Sequence, residues 1–214
     1  MNEHSMWYLS RASGMVAWIL LGITCLWGVL LVTRMLKPAD RPAWLLDLHR
    51  HLGVLSIAAT GLHMTTLVGD NWEHYGWREL FVPFTPLRHS DTAAIAWGVV
   101  AFYLLVVVQL SSLAMRHIPR RLWHGIHLLS YVLFAMATVH GFKAGTDTSN
   151  IVLFAIASGT IAILAFALLA RVLQGRAKRM QRATGLHPGT AASLPSARRR
   201  TPAAESEGRH VRVE

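Results

Sequence analysis

Sulfur ligands and acids are both scarce in this chain. Of its 214 residues only Cys25 is a cysteine, and Asp and Glu together number 11. A single cysteine closes no internal disulfide, and no cysteine cluster suggests zinc or an iron–sulfur centre. Cys25 sits inside an apolar run, where such a side chain serves packing. Charged residues make up 15% of the chain, against about a quarter in an ordinary soluble domain. No glycine-rich dinucleotide fingerprint follows a strand, and no stretch is long enough for a flavin or nicotinamide domain. Lys and Arg exceed Asp and Glu by ten, but the excess is uneven: from Arg171 onward there are ten Lys/Arg and three Glu. That distribution argues against nucleic acid as a partner and for a basic tail beside anionic membrane lipid.

What the chain does have is apolar residues, 53% of the total. They fall into five runs, about 12–33, 49–68, 92–114, 122–141 and 150–173. Each reaches the roughly 20 residues that cross a hydrocarbon core as a helix. The first run is too long for the apolar part of a signal peptide. It ends in Thr33-Arg34-Met35-Leu36-Lys37 rather than at a small-residue cleavage site, so it reads as a retained helix. The expected fold is an all-α integral membrane protein with five transmembrane helices in a bundle. Residues 1–11 form a short N-terminus, 12–173 the membrane domain and 174–214 a disordered basic tail, rich in Ala, Arg, Pro, Ser and Gly.

Basic residues set the expected orientation. The segments 34–50 and 115–121 and the tail hold 17 of the 21 Lys/Arg. The other side holds Arg11, Arg78, Arg88 and Lys143. The positive-inside rule then puts the N-terminus outside and the C-terminus in the cytoplasm of a bacterial-type plasma membrane. Pro38, Pro42 and Pro119 fall in the cytoplasmic connections, where they end helices. The outer loop 69–91 is aromatic and suits the membrane surface; its His74 and His89 read as solvated.

The second and fourth runs are unusual. Each carries histidines at both ends, and ionisable groups in a span are costly and by default functional. His49 and His63 lie 14 residues apart, and His127 and His140 lie 13 apart. Either pair is about 20 Å apart along a helix axis. Both runs cross in the same direction, so His49 meets the level of His127, and His63 that of His140. Imidazoles at matched depths on two helices can hold two planar macrocycles, one above the other, because haem iron takes axial histidines. The competing reading is hydrogen bonding between helices. His51 and His124 are left to that reading. A 14-residue step returns within about 40° of the same helix face, but a 13-residue step misses by about 140°. The fourth run is therefore expected to carry a π-bulge between Leu128 and Val139, or a haem tilt that makes one unnecessary. Arg50, Arg120 and Arg121 stand at the cytoplasmic level of the inner pair. There they serve either haem propionates or the positive-inside rule.

The pattern Trp123-x-x-x-His127-Leu128-x-x-Tyr131 with His140, preceded by His49-Arg50-His51-Leu52-Gly53 with His63, resembles the ferric reductase-like transmembrane domain. That family includes NADPH oxidases, ferric-chelate reductases and the haem subunit of bacterial methionine sulfoxide reductase systems. The resemblance covers about 10–173. It implies two b haems, one on His49 and His127 and one on His63 and His140. His49 stands where the methionine sulfoxide reductase subunit has arginine, so the two-haem branch is the nearer likeness. The oxidases have six spans and their own flavin/NADPH domain, and this chain departs from them in both. The implied activity is transmembrane electron transfer by an oxidoreductase component. Electrons would come from a separate flavoprotein reductase or the quinol pool and leave to an acceptor at the outer face. The alternative from another class is a haem-free membrane scaffold, or an anchor for a soluble partner.

Overall fold

A computed structural model describes residues 5–33, 43–70, 75–87, 91–145 and 150–183. These form six helices and, among the described residues, no strand. They are α1 (Ser5–Thr33), α2 (Ala43–Val68), α3 (Trp77–Phe81), α4 (Thr92–Leu113), α5 (Arg120–Ala144) and α6 (Ile151–Ala183). All but the short α3 are long and apolar enough to cross a membrane. The expected five-span, all-α fold is therefore present. The chain divides into two units, Met1–Leu173 and Gln174–Glu214. Residues 174–183, expected to be part of the disordered tail, are helical to Ala183, and the rest of that tail, 184–214, lies outside the described residues. So do Arg34, Lys37, Pro38, Arg41, Pro42, His74 and His89.

Local signals account for the helix ends. The Asp91 side chain caps α4 by accepting from the Ala93 backbone amide, which satisfies one of the free donors of the first turn. Pro119 precedes the first residue of α5, where a fixed φ and a missing N–H cost nothing. The link 114–119 is short enough to fold α4 and α5 into an antiparallel pair. The Tyr103 hydroxyl of α4 donates to the Phe81 carbonyl at 2.7 Å, which ties α3 to α4.

Within the first unit, α1 packs on α2, α2 on α4, α4 on α5 and α5 back on α1. Four helices thus close a ring in which α2 and α5, the two histidine helices, stand diagonally opposite. The centre of the ring is apolar. Leu21 and Cys25 of α1, Ala101 and Leu105 of α4, Leu133 and Phe134 of α5 and Leu164 of α6 form one buried cluster, with Ile57 of α2 against it. On α1, α2, α4 and α5 this layer falls between the two histidine levels. Trp18 stacks on Phe134 with ring centres 5.6 Å apart and donates its indole N–H to Thr138 at 2.9 Å, which binds α1 to α5. Trp27 donates to the Leu45 carbonyl at 2.9 Å, which binds α1 to α2. Apolar side chains such as Leu110, Leu113 and Phe166 are exposed on the outer surface, as lipid contact requires.

Candidate functional site: two histidine pairs across the bundle

The four expected histidines meet in two pairs. The rings of His49 and His127 have centres 6.0 Å apart with planes at 67°. Those of His63 and His140 are 6.4 Å apart at 71°. Two imidazoles on either side of one metal ion, each bonded at about 2 Å, put their ring centres about 6 Å apart. Both gaps therefore match the width of a shared axial metal. Among the described residues no third His, Cys, Asp or Glu joins either pair, so neither level offers the tetrahedral set of a zinc site.

The α5 helix is regular from Arg120 to Ala144, and the expected π-bulge is absent. Ideal-helix angles describe Cα positions. A histidine ring swings several ångströms from its Cα, so two rings rooted at different angles can both reach the centre of a ring of four helices.

Each ring is held from the neighbouring helix of its own hairpin. The Nδ1–H of His63 donates to the Ser10 carbonyl at 2.8 Å. The Nδ1–H of His140 donates to the Ala94 carbonyl at 2.9 Å. A carbonyl can only accept, so Nδ1 carries the proton in both rings and Nε2 is left with a free lone pair. That is the tautomer a metal-ligating histidine needs. A glycine backs each of these rings. A Cβ at Gly14 would lie 2.9 Å from His63 Nδ1, and one at Gly98 would lie 2.7 Å from His140 Nδ1. The His63–His140 pair is thus positioned by close backbone approach that any other residue would obstruct.

The His49–His127 pair is held more loosely. His49 lies against Gly28, whose added Cβ would come 3.3 Å from the ring, and Nδ1 faces the Thr24 carbonyl without a well-formed hydrogen bond. His127 Nδ1 lies 3.4 Å from the Ser112 hydroxyl. Trp123 stacks on His127 with ring centres 5.1 Å apart, and its buried indole N–H has no partner. An orphaned buried donor is costly. At this level it is available to an acceptor on a bound group. By contrast, His51 and His124 are exposed and bond the carbonyls of Asp47 and Arg120 on their own helices, both at 2.7 Å. They take no part in either pair.

Arg50 and Arg121 are exposed at the end of the bundle that holds His49 and His127. Arg50 pairs with Asp47 at 3.1 Å, while Arg121 makes no ion pair among the described residues. A cation that the sequence pattern does not single out is Arg171 of α6. It donates to the Tyr131 hydroxyl at 2.7 Å, one turn beyond His127 on α5. The available signal was a basic residue closing the fifth apolar run, and the charge pattern assigns that position to the tail.

The family model for the ferric reductase like transmembrane component matches residues 13–138. The chain belongs to that family. The match takes in His49, His63 and His127 and stops two residues before His140. Neither a curated protein nor a solved structure matches the chain. Membership makes this ferric reductase-like protein a multi-pass membrane protein of a family generally haem-binding and devoted to transmembrane electron transfer.

Proposed function

We propose that this chain conducts electrons across a membrane through two b haems. His49 and His127 would hold the inner haem, and His63 and His140 the outer one. The observation that carries this reading is the pair of matched ring separations, 6.0 and 6.4 Å, on helices that stand diagonally across one bundle. The fit extends to protonation: at the outer level both Nδ1 atoms are spent on carbonyls, so each Nε2 keeps the lone pair with which it would hold the iron.

When bound, haem supplies the one-electron chemistry, and the protein supplies position and surroundings. Helices α2 and α5 would set the two irons about 20 Å apart, from 13- and 14-residue steps along the helix. The apolar layer around Leu105, Leu133 and Phe134 keeps water and ions out of the space between. Arg121 and Arg50 would take propionates at the inner end, where guanidinium matches carboxylate in shape and charge. The N-terminus would lie outside and the C-terminus in the cytoplasm, by the distribution of Lys and Arg. Electrons would enter at the inner pair from a separate flavoprotein or from quinol, and leave to an acceptor outside.

His140→Ala tests the ligand assignment. It should remove one haem per chain and leave one, with the optical spectrum of the remainder unchanged. A haem content equal to wild type would refute His140 as a ligand.

A further inference from the structure

The residues that back the four histidines repeat along the chain. Ser10 and Gly14 on α1 serve His63, and Ala94 and Gly98 on α4 serve His140; each corresponding pair lies 84 positions apart. In each hairpin the ring presses on a glycine and donates to the carbonyl four residues earlier. The inner level repeats the placement on α1, where His49 lies against Gly28 with the Thr24 carbonyl before it, without a well-formed hydrogen bond. Moving 84 positions on from Gly28 and Thr24 leads to Ser112 and Val108. The fourth seat is therefore filled by serine where the other three hold glycine.

The contacts show what that exchange does. The Ser112 hydroxyl donates to the Val108 carbonyl at 2.8 Å, and Ser111 donates to the same oxygen at 2.9 Å. The carbonyl that would receive His127 is thus occupied by hydroxyl groups. The Ser112 Cβ stands where the ring would otherwise press, and its oxygen, 3.4 Å from Nδ1, is the acceptor left to His127. Carbonyl tethers at 2.8 and 2.9 Å hold the two outer rings instead.

We propose that Ser112 is a positioning residue that weakens the hydrogen bond from His127 and so raises the reduction potential of the inner haem. The proposal rests on the reading of the four histidines as haem ligands. An axial imidazole that gives its N–H to a strong acceptor becomes more basic and favours ferric iron; a long bond to a hydroxyl does this less. Trp123, stacked on the same ring, keeps His127 in place while the tether stays slack.

The test is a potentiometric titration of the full chain in detergent, as wild type, Ser112→Gly, Ser112→Ala and Ser112→Thr. Glycine removes the Cβ and one of the two hydroxyls on the Val108 carbonyl, so the ring can approach and share that oxygen with Ser111, and one of the two haem waves should move to more negative potential. Alanine keeps the Cβ but removes the acceptor, so the same wave should move to more positive potential. Threonine keeps the hydroxyl and should restore the wild-type value. The other wave should stay put throughout. Shifts of the same sign in Gly and Ala, shifts of both waves, or no shift in a protein with two haems would overturn the role of Ser112. A wild-type protein without haem waves would instead overturn the ligand reading beneath it.

Discussion

Gly98 and Gly14 decide how near α4 and α1 come to the outer histidines. A methyl group at either position would have to share space with the ring, since its carbon would fall 2.7 Å or 2.9 Å from Nδ1. Overpacking of this kind costs about 1–3 kcal/mol, and here the strain falls on the ligand. Gly98→Ala is expected to lower occupancy of one haem while the second stays bound, which a haem assay on purified protein would read. The mirror substitution Gly14→Ala should do the same from the α1 side. Full occupancy of both haems in these variants would contradict the close-approach argument. The histidines themselves were legible in the sequence, because charge-bearing groups in apolar spans stand out. Their glycine and carbonyl supports were not. Which glycine backs which ring depends on how α1 pairs with α2 and α4 with α5, and spacing along one helix carries no information about its neighbour.

Among the elements, α5 and α6 depart most from expectation. The 13-residue step in α5 predicted a bulge on ideal-helix angles, yet the helix is regular and the side chains make up the difference. Helix α6 meets the rest of its unit through Leu164 in the core and through the bond from Arg171 to Tyr131. Hydrogen bonds from a charged donor contribute about 1.5–3 kcal/mol. Tyr131→Phe removes that hydrogen bond and leaves only the ring beside the guanidinium. The variant should unfold at a lower temperature in detergent, and an unchanged thermal midpoint would show that α6 is held by other means. Five spans could be counted from hydropathy alone, whereas the diagonal placement of α2 and α5 could not. It emerges from four interhelical contacts, each made by side chains whose partners lie up to 120 residues away, as Trp18 and Thr138 do.

At the scale of the whole molecule, charge distribution sets direction. Loops and tail on one side carry 17 of 21 Lys/Arg, so the termini should face opposite sides of the membrane. Cys25 is buried, so a Cys25→Ser background allows single reporters. A membrane-impermeant maleimide should label Ser5→Cys from outside the cells and Ser206→Cys only after lysis. The reverse pattern would invert the proposed path. Both histidine levels sit within one bundle with an apolar cluster between them, which suits the proposed passage of electrons between two haems. The measurement that bears most directly on this is a haem count per chain, taken with a reduced-minus-oxidised visible spectrum of the purified protein. Two b-type haems per chain with the sharp bands of bis-histidine ligation are predicted. A protein folded in detergent that carries no haem and shows no b-type bands would contradict the account.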